Sequence, residues 1–287
     1  MRVAVSGATG FIGRHVVAEL RRRQVDVVAF SRQAGAATPA SPVLEGVELV
    51  GLDLTRSSEG AFALLGRPDA LIHLAWGGLP NYRSLHHFEQ ELPSQYRFLG
   101  QMVRDGLKSL VVTGTCFEYG MQSGALDEAM PARPNNPYGF AKDTLRQQLE
   151  YLRATHPFAL AWARLFYMHG EGQAPNSLLP QLERAVARGD AVFNMSGGEQ
   201  LRDYLPVTEI ARHLATLAVH RVDAGVLNLC SGRPVSVRKF VESLLAERGW
   251  NIALNLGHYP YPDYEPLAFW GTRNRLDGLL RQAEAGA

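Results

Sequence analysis

A tyrosine and a lysine four residues apart are well suited to proton chemistry. Tyr138 and Lys142 follow Asn136-Pro137, a plausible helix start because proline is tolerated in the first turn. Their spacing places both on one helical face. A phenol, with an ordinary pKa of about 10, is a poor acid or base at neutral pH, and a neighbouring ammonium lowers that pKa. The pair is a candidate for acid–base catalysis, although the same spacing is common on solvated helix faces.

A glycine-rich turn near the N-terminus has the pattern of a dinucleotide site. The segment GATGFIG, residues 7–13, follows a predicted strand and opens a predicted helix. Glycines let the backbone approach a pyrophosphate, and the first N–H groups of the helix favour its charge. The other interpretation is a turn that only packs a helix on a strand. The cofactor contacts expected here are Gly7, Thr9, Gly10, Phe11, Ile12 and Gly13.

Both segments resemble motifs of the extended short-chain dehydrogenase/reductase family, the NAD-dependent epimerases/dehydratases. The turn is similar to the GxxGxxG fingerprint, and TCFEYG, residues 115–120, is similar to the S/T-x-x-x-Y-G segment. The resemblance implies an enzyme in which Thr115 donates to the substrate oxygen, Tyr138 exchanges the proton and Lys142 lowers the pKa of Tyr138. Some relatives are NADP-sensing binding proteins that have lost the dyad, which this chain keeps.

The resemblance also covers the segments around the cofactor. Asp53-Leu54 lies where the family has an acid near the adenine, and His73-Leu74-Ala75-Trp76 resembles its HxAA segment. The further cofactor contacts that it implies are Ser31, Arg32, Asp53, Leu54, Leu74, Ala75, Trp76, Thr113, Tyr138, Lys142 and Phe166.

The end of the second predicted strand bears on the choice of cofactor. An NAD-selective site usually offers a carboxylate there, whereas this chain has Ser31-Arg32. An arginine brings fixed charge and a fork of donors that suits a 2′-phosphate. NADPH (NADP) is therefore the expected cofactor, with NAD possible and a solvated loop position as the alternative role of Arg32.

A second arginine is the candidate for substrate binding. QLRDYLPV, residues 200–207, resembles the R-D-(F/Y)-(I/L)-x-V stretch of nucleotide-sugar enzymes, which implies that Arg202 meets the diphosphate of a nucleotide-sugar substrate. The alternative is a weak surface pair with Asp203. Tyr259 belongs to an aromatic run that forms either a stacking wall or a packed loop. The full expected substrate set is Trp76, Thr115, Cys116, Phe117, Tyr138, Asn176, Arg202 and Tyr259.

Departures from related enzymes narrow the reaction. Cys116 and Phe117 stand where 4,6-dehydratases have their Asp-Glu pair, and Leu178-Leu179 stands where an epimerising histidine is expected. The chain is most similar to reductases of nucleotide-linked 4-keto-6-deoxy sugars. We therefore expect NADPH-dependent reduction of such a 4-keto group. The alternatives are a 4-epimerase with tightly bound NAD and a non-catalytic NADP-sensing protein.

Alternating β-branched runs and amphipathic segments predict βαβ units on a parallel sheet. The expected fold class is α/β, a Rossmann-type doubly wound sheet over residues 1–165. A smaller, interleaved substrate-binding lobe covers 166–287, with segments near 203–207 and 226–230 returning to the Rossmann domain. The predicted strands are 3–6, 25–30, 47–52, 70–74, 110–113, 159–163, 204–207 and 226–229. The predicted helices are 13–23, 93–105, 138–155, 178–188, 208–221 and 237–248.

Composition excludes several other classes. The 29 Lys and Arg residues nearly balance the 28 Asp and Glu residues, so no global field favours nucleic acid or a membrane. Two isolated cysteines suit neither a metal site nor a disulfide framework, and a reducing cytoplasm is expected. No apolar stretch approaches a membrane span, and no export signal is expected. By analogy with the family, we expect a homodimer that pairs through the Tyr138 helix.

Overall fold

The computed structural model describes residues 1–32, 42–56 and 58–285, which form an α/β fold. Its strands are β1 (Arg2–Ser6), β2 (Asp26–Ser31), β3 (Glu48–Gly51), β4 (Ala70–His73), β5 (Ser109–Thr115), β6 (Gly124–Leu126), β7 (Ala159–Leu165), β8 (Tyr167–His169), β9 (Val192–Asn194), β10 (Leu201–Pro206), β11 (Gly225–Leu229), β12 (Pro234–Ser236), β13 (Ala253–Asn255) and β14 (Phe269–Gly271). Its α-helices are α1 (Phe11–Arg22), α2 (Ala61–Leu64), α3 (Leu92–Arg104), α4 (Pro137–Thr155), α5 (Leu178–Arg188), α6 (Val207–Val219), α7 (Val237–Arg248) and α8 (Asn274–Ala285).

Seven parallel strands make the central sheet, in the order β11-β7-β5-β4-β1-β2-β3. Strand β1 pairs in parallel with both β2 and β4, so the strand order reverses at its carboxyl end. In open α/β sheets, ligands bind at such a switch point. All seven residues of β5 are buried, as expected for a strand covered on both faces. The expected fold class, a Rossmann-type doubly wound sheet, is confirmed.

Helices cover both faces of this sheet and produce two apolar cores. On one face, Val16, Val17 and Leu20 of α1 pack with Ile210 and Leu214 of α6. The core of the other face includes Phe98 and Leu99 of α3 and Leu145 and Leu149 of α4. Burial of these side chains, worth about 1.5–3 kcal/mol each, holds the helices against the strands and fixes the strand ends where a site can form.

The segment near 203–207 does not return to the central sheet, contrary to the sequence prediction. It belongs to β10, which pairs in parallel with β8 and antiparallel with β12 in a separate sheet of three strands. Strand β8 begins only one residue after β7 ends, and it offers β10 a partner outside the central sheet. The segment near 226–230 does return, because β11 pairs with β7.

No helix among the described residues is both long and apolar enough to span a bilayer. They contain no group of three or more metal-ligating side chains, and Cys116 and Cys230 are buried without a disulfide.

Candidate active site

The glycine turn at the end of β1 brings backbone elements close together. Gly7 has a φ of +63°, and a Cβ added there would lie 3.0 Å from the amide nitrogen of Ala75. A Cβ at Gly13 would lie 2.2 Å from the carbonyl oxygen of Gly7. Helix α1 begins after Gly10 without a side-chain cap, which leaves its first N–H groups for a ligand. The cradle, flanked by partly buried Thr9, Phe11 and Ile12, fits a dinucleotide pyrophosphate.

The ends of β2 and β3 carry the residues expected near the adenosine. Arg32 is exposed, and the Oγ of Ser31 is buried with no hydrogen-bond partner among the described residues. The Asp53 carboxylate accepts hydrogen bonds from the backbone N–H and the hydroxyl of Thr55 at 3.0 and 2.8 Å. The Thr55 hydroxyl bond is the main cause that lowers the pKa of Asp53, and the Arg32 charge adds to it. Leu54 is buried beside it.

His73 has a structural role at the end of β4. The Oγ of Ser6 accepts from the N–H groups of Leu74 and Ala75 at 2.9 and 3.1 Å and lies 3.0 Å from His73 Nδ1. Because the hydroxyl accepts twice, its own proton is the one available to Nδ1. Burial lowers the pKa of His73 to about 3, so the ring is neutral. The histidine thus orients the segment that carries Leu74, Ala75 and Trp76 beside the glycine turn.

Lys142 lies at the centre of the catalytic group. Its Nζ donates to the carbonyl oxygen of Thr113 at 2.9 Å and lies 4.0 Å from the centroid of the Trp76 ring and 6.0 Å from that of Tyr138. The side chain is 2% exposed, and burial lowers its pKa to about 7, against the opposing effect of Glu118 and Glu91. The contact with the indole face stabilises its charged form.

Tyr138 and Thr115 are brought together as the sequence predicts. Thr115 ends β5, and its side chain acts to lower the pKa of Tyr138, although less than burial raises it. Burial nevertheless raises the pKa of Tyr138, which is 8% exposed. The phenol is therefore protonated in the cofactor-free protein and can donate a proton. Helix α4 presents it because Asn136 caps the first turn, accepting from the N–H of Gly139 at 2.9 Å.

Aromatic rings enclose the Tyr138 phenol, and sequence reasoning missed several of them. The centroids of His87, Tyr82 and Phe117 lie 5.2, 5.6 and 6.3 Å from that of Tyr138. Tyr264 completes the wall at 6.0 Å from Tyr82 and 6.1 Å from Phe117. We call Tyr82, Phe117 and Tyr264 the aromatic wall. Tyr264 belongs to the aromatic run noted in the sequence, but nothing in the pattern singled it out.

His87 fixes Trp76, the expected cofactor and substrate contact. The indole Nε1 donates to His87 Nδ1 at 3.1 Å, and His87 Nε2 lies 2.8 Å from the carbonyl oxygen of Asn81. A carbonyl can only accept, so Nε2 carries the proton and Nδ1 accepts from the indole. Burial lowers the pKa of His87, in agreement with this neutral tautomer. Its role is to orient Trp76 over Lys142.

Arg202 is buried in an ion pair, whereas the sequence suggested a free cation or a surface pair with Asp203. Its Nη2 donates to Glu265 at 2.6 Å, and its Nη1 donates to the carbonyl oxygens of Leu201 and Leu267 at 2.8 and 3.0 Å. Arg202 as a whole is 1% exposed. Asp203 instead accepts backbone N–H groups at 231 and 232. The pairing of residues 202 and 265 is non-local, so no local pattern could reveal it.

The remaining predicted contacts have varied surroundings. Cys116 is buried in the short turn that follows Thr115, and burial raises the pKa of its thiol to about 12. Phe166 is buried between the rings of Tyr119 and Phe269. Asn176 is exposed just before α5, and Tyr259 is 53% exposed and packs against His258. The structure does not bring Asn176 or Tyr259 into the aromatic cluster around Tyr138.

Comparison with known proteins supports an NAD(P)-dependent oxidoreductase or epimerase. The model of the NAD dependent epimerase/dehydratase family matches residues 3–230, and the chain belongs to this family.

Three relatives illustrate its range. The dTDP-6-deoxy-L-talose 4-dehydrogenase (NAD(+)) of Aggregatibacter actinomycetemcomitans is 32% identical over 275 residues, which cover 95% of this chain and 100% of the relative. A UDP-glucose 4-epimerase of Azospirillum brasilense is 26% identical over 98% of this chain and 90% of its own length. The solved structure of MoeE5 in complex with UDP-glucuronic acid and NAD matches with a TM-score of 0.80 at 28% identity. The match covers 98% of this chain and 93% of the MoeE5 chain.

Proposed function

We propose that the protein interconverts a 4-keto and a 4-hydroxy group on a nucleotide-linked 6-deoxyhexose, acting as a reductase with NADPH as the preferred cofactor. The observation that carries this proposal is the group of Thr115, Tyr138 and Lys142, which lies next to a glycine cradle at the switch point of the sheet. The name of the relative from Aggregatibacter, a 4-dehydrogenase of a 6-deoxyhexose, supports it, because such an oxidation is this reaction in reverse.

The chain's own residues would handle the proton at the sugar O4. A nicotinamide cofactor held at the glycine cradle would supply or accept the hydride at C4. Tyr138 donates its phenolic proton to the developing alkoxide, and its raised pKa keeps that proton available. Thr115 accepts at Oγ1 from the N–H of Phe117 at 3.3 Å, so its hydroxyl proton is free to donate to the same O4. Lys142, with a pKa near 7, provides positive charge that stabilises the phenolate left behind.

The aromatic wall supports an uncharged substituent at C6. Tyr82 and Phe117 pack 4.7 Å apart next to Tyr138, and Tyr264 extends the surface. The adjacent Glu265 carboxylate acts on Tyr82 and helps to raise the pKa of Tyr82 to about 12, chiefly an effect of burial. A methyl group gains from contact with such rings, whereas the carboxylate of a uronic acid would lose its hydration against them. We therefore propose a 6-deoxy sugar over a uronic acid.

The proposed NADPH preference depends on the end of β2. The exposed Arg32 guanidinium can donate to a 2′-phosphate, and the adjacent Ser31 Oγ has no hydrogen-bond partner among the described residues. The relative from Aggregatibacter is described as NAD(+)-dependent, so direct titration of both cofactors is the test of this part.

A homodimer that pairs through α4 is part of the proposal. Tyr151 and Phe140, both on this helix, are 79% and 50% exposed. Apolar rings on one long helix are suited to burial against a second copy. Light scattering of the purified protein should give twice the chain mass, and a monomer at micromolar concentration would contradict this part.

The test of the reaction is a substrate panel. The purified protein is incubated with dTDP- and UDP-linked 4-keto-6-deoxyhexoses and NADPH, and with the matching 4-hydroxy sugars and NADP or NAD. The expected result is one NADPH oxidised for each keto sugar consumed. If the protein instead retains bound NAD and interconverts two 4-hydroxy sugars without net oxidation, it is a 4-epimerase and the reductase proposal fails.

A further inference from the structure

A fully buried carboxylate lies directly behind the catalytic threonine. Glu118 is 0% exposed and lies in the short 3₁₀ turn Cys116–Tyr119 that follows Thr115. An ionised carboxylate without partners would be costly at such a depth. Whether this buried charge is stabilised therefore depends on its hydrogen bonds.

Glu118 accepts hydrogen bonds from three donors, which lie on the neighbouring strands β5 and β7. Its Oε1 accepts from the backbone N–H of Thr115 at 2.8 Å, and its Oε2 accepts from Nε of Arg164 at 2.7 Å. The indole Nε1 of Trp162 lies 3.0 and 3.1 Å from the two oxygens. A Cβ at Gly114 would lie 2.5 Å from Oε1 and 2.3 Å from the Trp162 nitrogen, so the carboxylate packs against bare backbone. The carboxylate therefore has little freedom to move.

The same turn fixes the direction of the Thr115 hydroxyl. The Thr115 side chain accepts from the turn backbone while the Glu118 side chain accepts from the Thr115 N–H, which is a reciprocal capping box. One lone pair of the Thr115 Oγ1 is thereby used inside the turn, and its proton remains to be donated outward. Removing the Glu118 acceptor would release the backbone that sets this direction.

The turn and the catalytic helix are packed as one unit. A Cβ at Gly139, in the first turn of α4, would lie 2.6 Å from the carbonyl oxygen of Phe117. Behind the turn, Nη2 of Arg164 lies 4.0 Å from Asp143, the residue after Lys142. Glu118 is thus tied to the strand that carries Thr115 and, through Arg164, to the helix that carries Tyr138.

We propose that Glu118 is a positioning residue that sets the Thr115 hydroxyl in register with the Tyr138 phenol, so that both reach one substrate oxygen. This inference rests on the proposed chemistry of Thr115 and Tyr138, but not on the identity of the sugar. Glu118 acts through Thr115 and does not itself touch the substrate.

The test is a double-mutant cycle between Glu118 and Thr115. In Glu118→Gln one carboxylate oxygen is replaced by an amide NH2, which cannot accept from the surrounding N–H donors, so the turn loses at least one bond. We expect kcat to fall by about 10- to 100-fold, since small misplacements of a catalytic group have effects of that size. The KM and the cofactor Kd should stay within about twofold. Once Thr115→Ala has removed the hydroxyl, adding Glu118→Gln should lower kcat by less than about threefold.

Two further variants keep the test decisive. Glu128→Gln is the matched control, because Glu128 also accepts a backbone N–H, that of Asn228 at 2.7 Å, and it should leave kcat unchanged. If Glu118→Gln does not fold, Trp162→Phe removes one donor to Glu118 and keeps the aromatic ring. It should lower kcat by a smaller factor that likewise disappears in Thr115→Ala.

Two results would overturn the inference: an unchanged kcat in a folded Glu118→Gln, or independent, multiplicative effects of the two substitutions. All variants are assayed with whichever nucleotide sugar the wild type turns over. A failure of the proposed function appears in the wild type itself, whereas a failure of this inference appears only in the cycle.

Discussion

Tyr138→Phe removes one buried hydroxyl and leaves the ring against Trp76, His87 and Phe117. Even the loss of a hydrogen bond would cost only about 0.5–1.5 kcal/mol of folding stability, or about 1–3 kcal/mol where a buried partner is left unsatisfied. Domains of this kind have about 5–15 kcal/mol, so the variant should fold. Loss of a general acid lowers turnover by about 10²–10⁴-fold. At 1.36 kcal/mol for each tenfold change, that is about 2.7–5.4 kcal/mol of activation free energy. The effect on rate should therefore exceed the effect on stability.

The assay measures kcat and KM from the nicotinamide absorbance and cofactor affinity by fluorescence titration. Cofactor affinity should be unchanged, since the cradle and Lys142 are intact. Tyr119→Phe is the matched control: Tyr119 is 0% exposed, and its hydroxyl donates to Asn228 at 2.7 Å. It should lower the Tm at least as much as Tyr138→Phe while keeping kcat within about threefold. A Tyr138→Phe protein with near-wild-type kcat, or a Tyr119→Phe protein that loses activity equally, would refute the assignment of Tyr138 as proton donor.

Three other predictions follow from the charged side chains. Arg202→Lys keeps the charge toward Glu265 but loses the guanidinium fork, whose other nitrogen donates to the carbonyl oxygens of Leu201 and Leu267, so the Tm should fall; an unchanged Tm would mean that this fork adds nothing to stability. Arg32→Ala should weaken NADPH binding about tenfold and leave NADH binding unchanged, and equal weakening of both would contradict the 2′-phosphate site. Burial lowers the pKa of Lys142 to about 7, whereas an unfolded lysine keeps its proton up to about pH 10.4. Between these two pKa values the unfolded state binds more protons than the folded state, so stability increases with pH. The Tm of the cofactor-free protein should therefore rise from pH 7 to 9.5, and it should rise less in Lys142→Met.

Elements with strong local signals could be predicted from the sequence. Helices α5 and α7 begin and end where predicted, since a serine precedes each and a glycine with positive φ, Gly189 or Gly249, follows it. Helix α1 begins two residues before its prediction, because the turn ends at Gly10 and Gly13 lies inside the helix. Six strands of three residues were missed, because so few residues cannot show a period of two: β6, β8, β9, β12, β13 and β14.

The site was predictable only where its motif is local. The glycine cradle and the Tyr138–Lys142 pair follow from short spacings, and the structure brings Thr115 to them. Glu265 lies 63 residues from Arg202, and Tyr264 meets Tyr82 from the other end of the chain. Such partners are brought together by tertiary packing, which carries no signal in a local window. Arg202 was accordingly expected to be available, whereas it is buried and already paired.

The central claim is that hydride moves between the cofactor and C4 of the sugar with net turnover of the cofactor. The direct measurement is an incubation of an unlabelled nucleotide-linked 4-keto-6-deoxyhexose with NADPH deuterated at the transferred position, followed by mass spectrometry and NMR of the released sugar. We expect one deuterium, located at C4, in every product molecule, and one equivalent of NADP formed. Product that carries no deuterium, formed while the added NADPH stays intact, would contradict it.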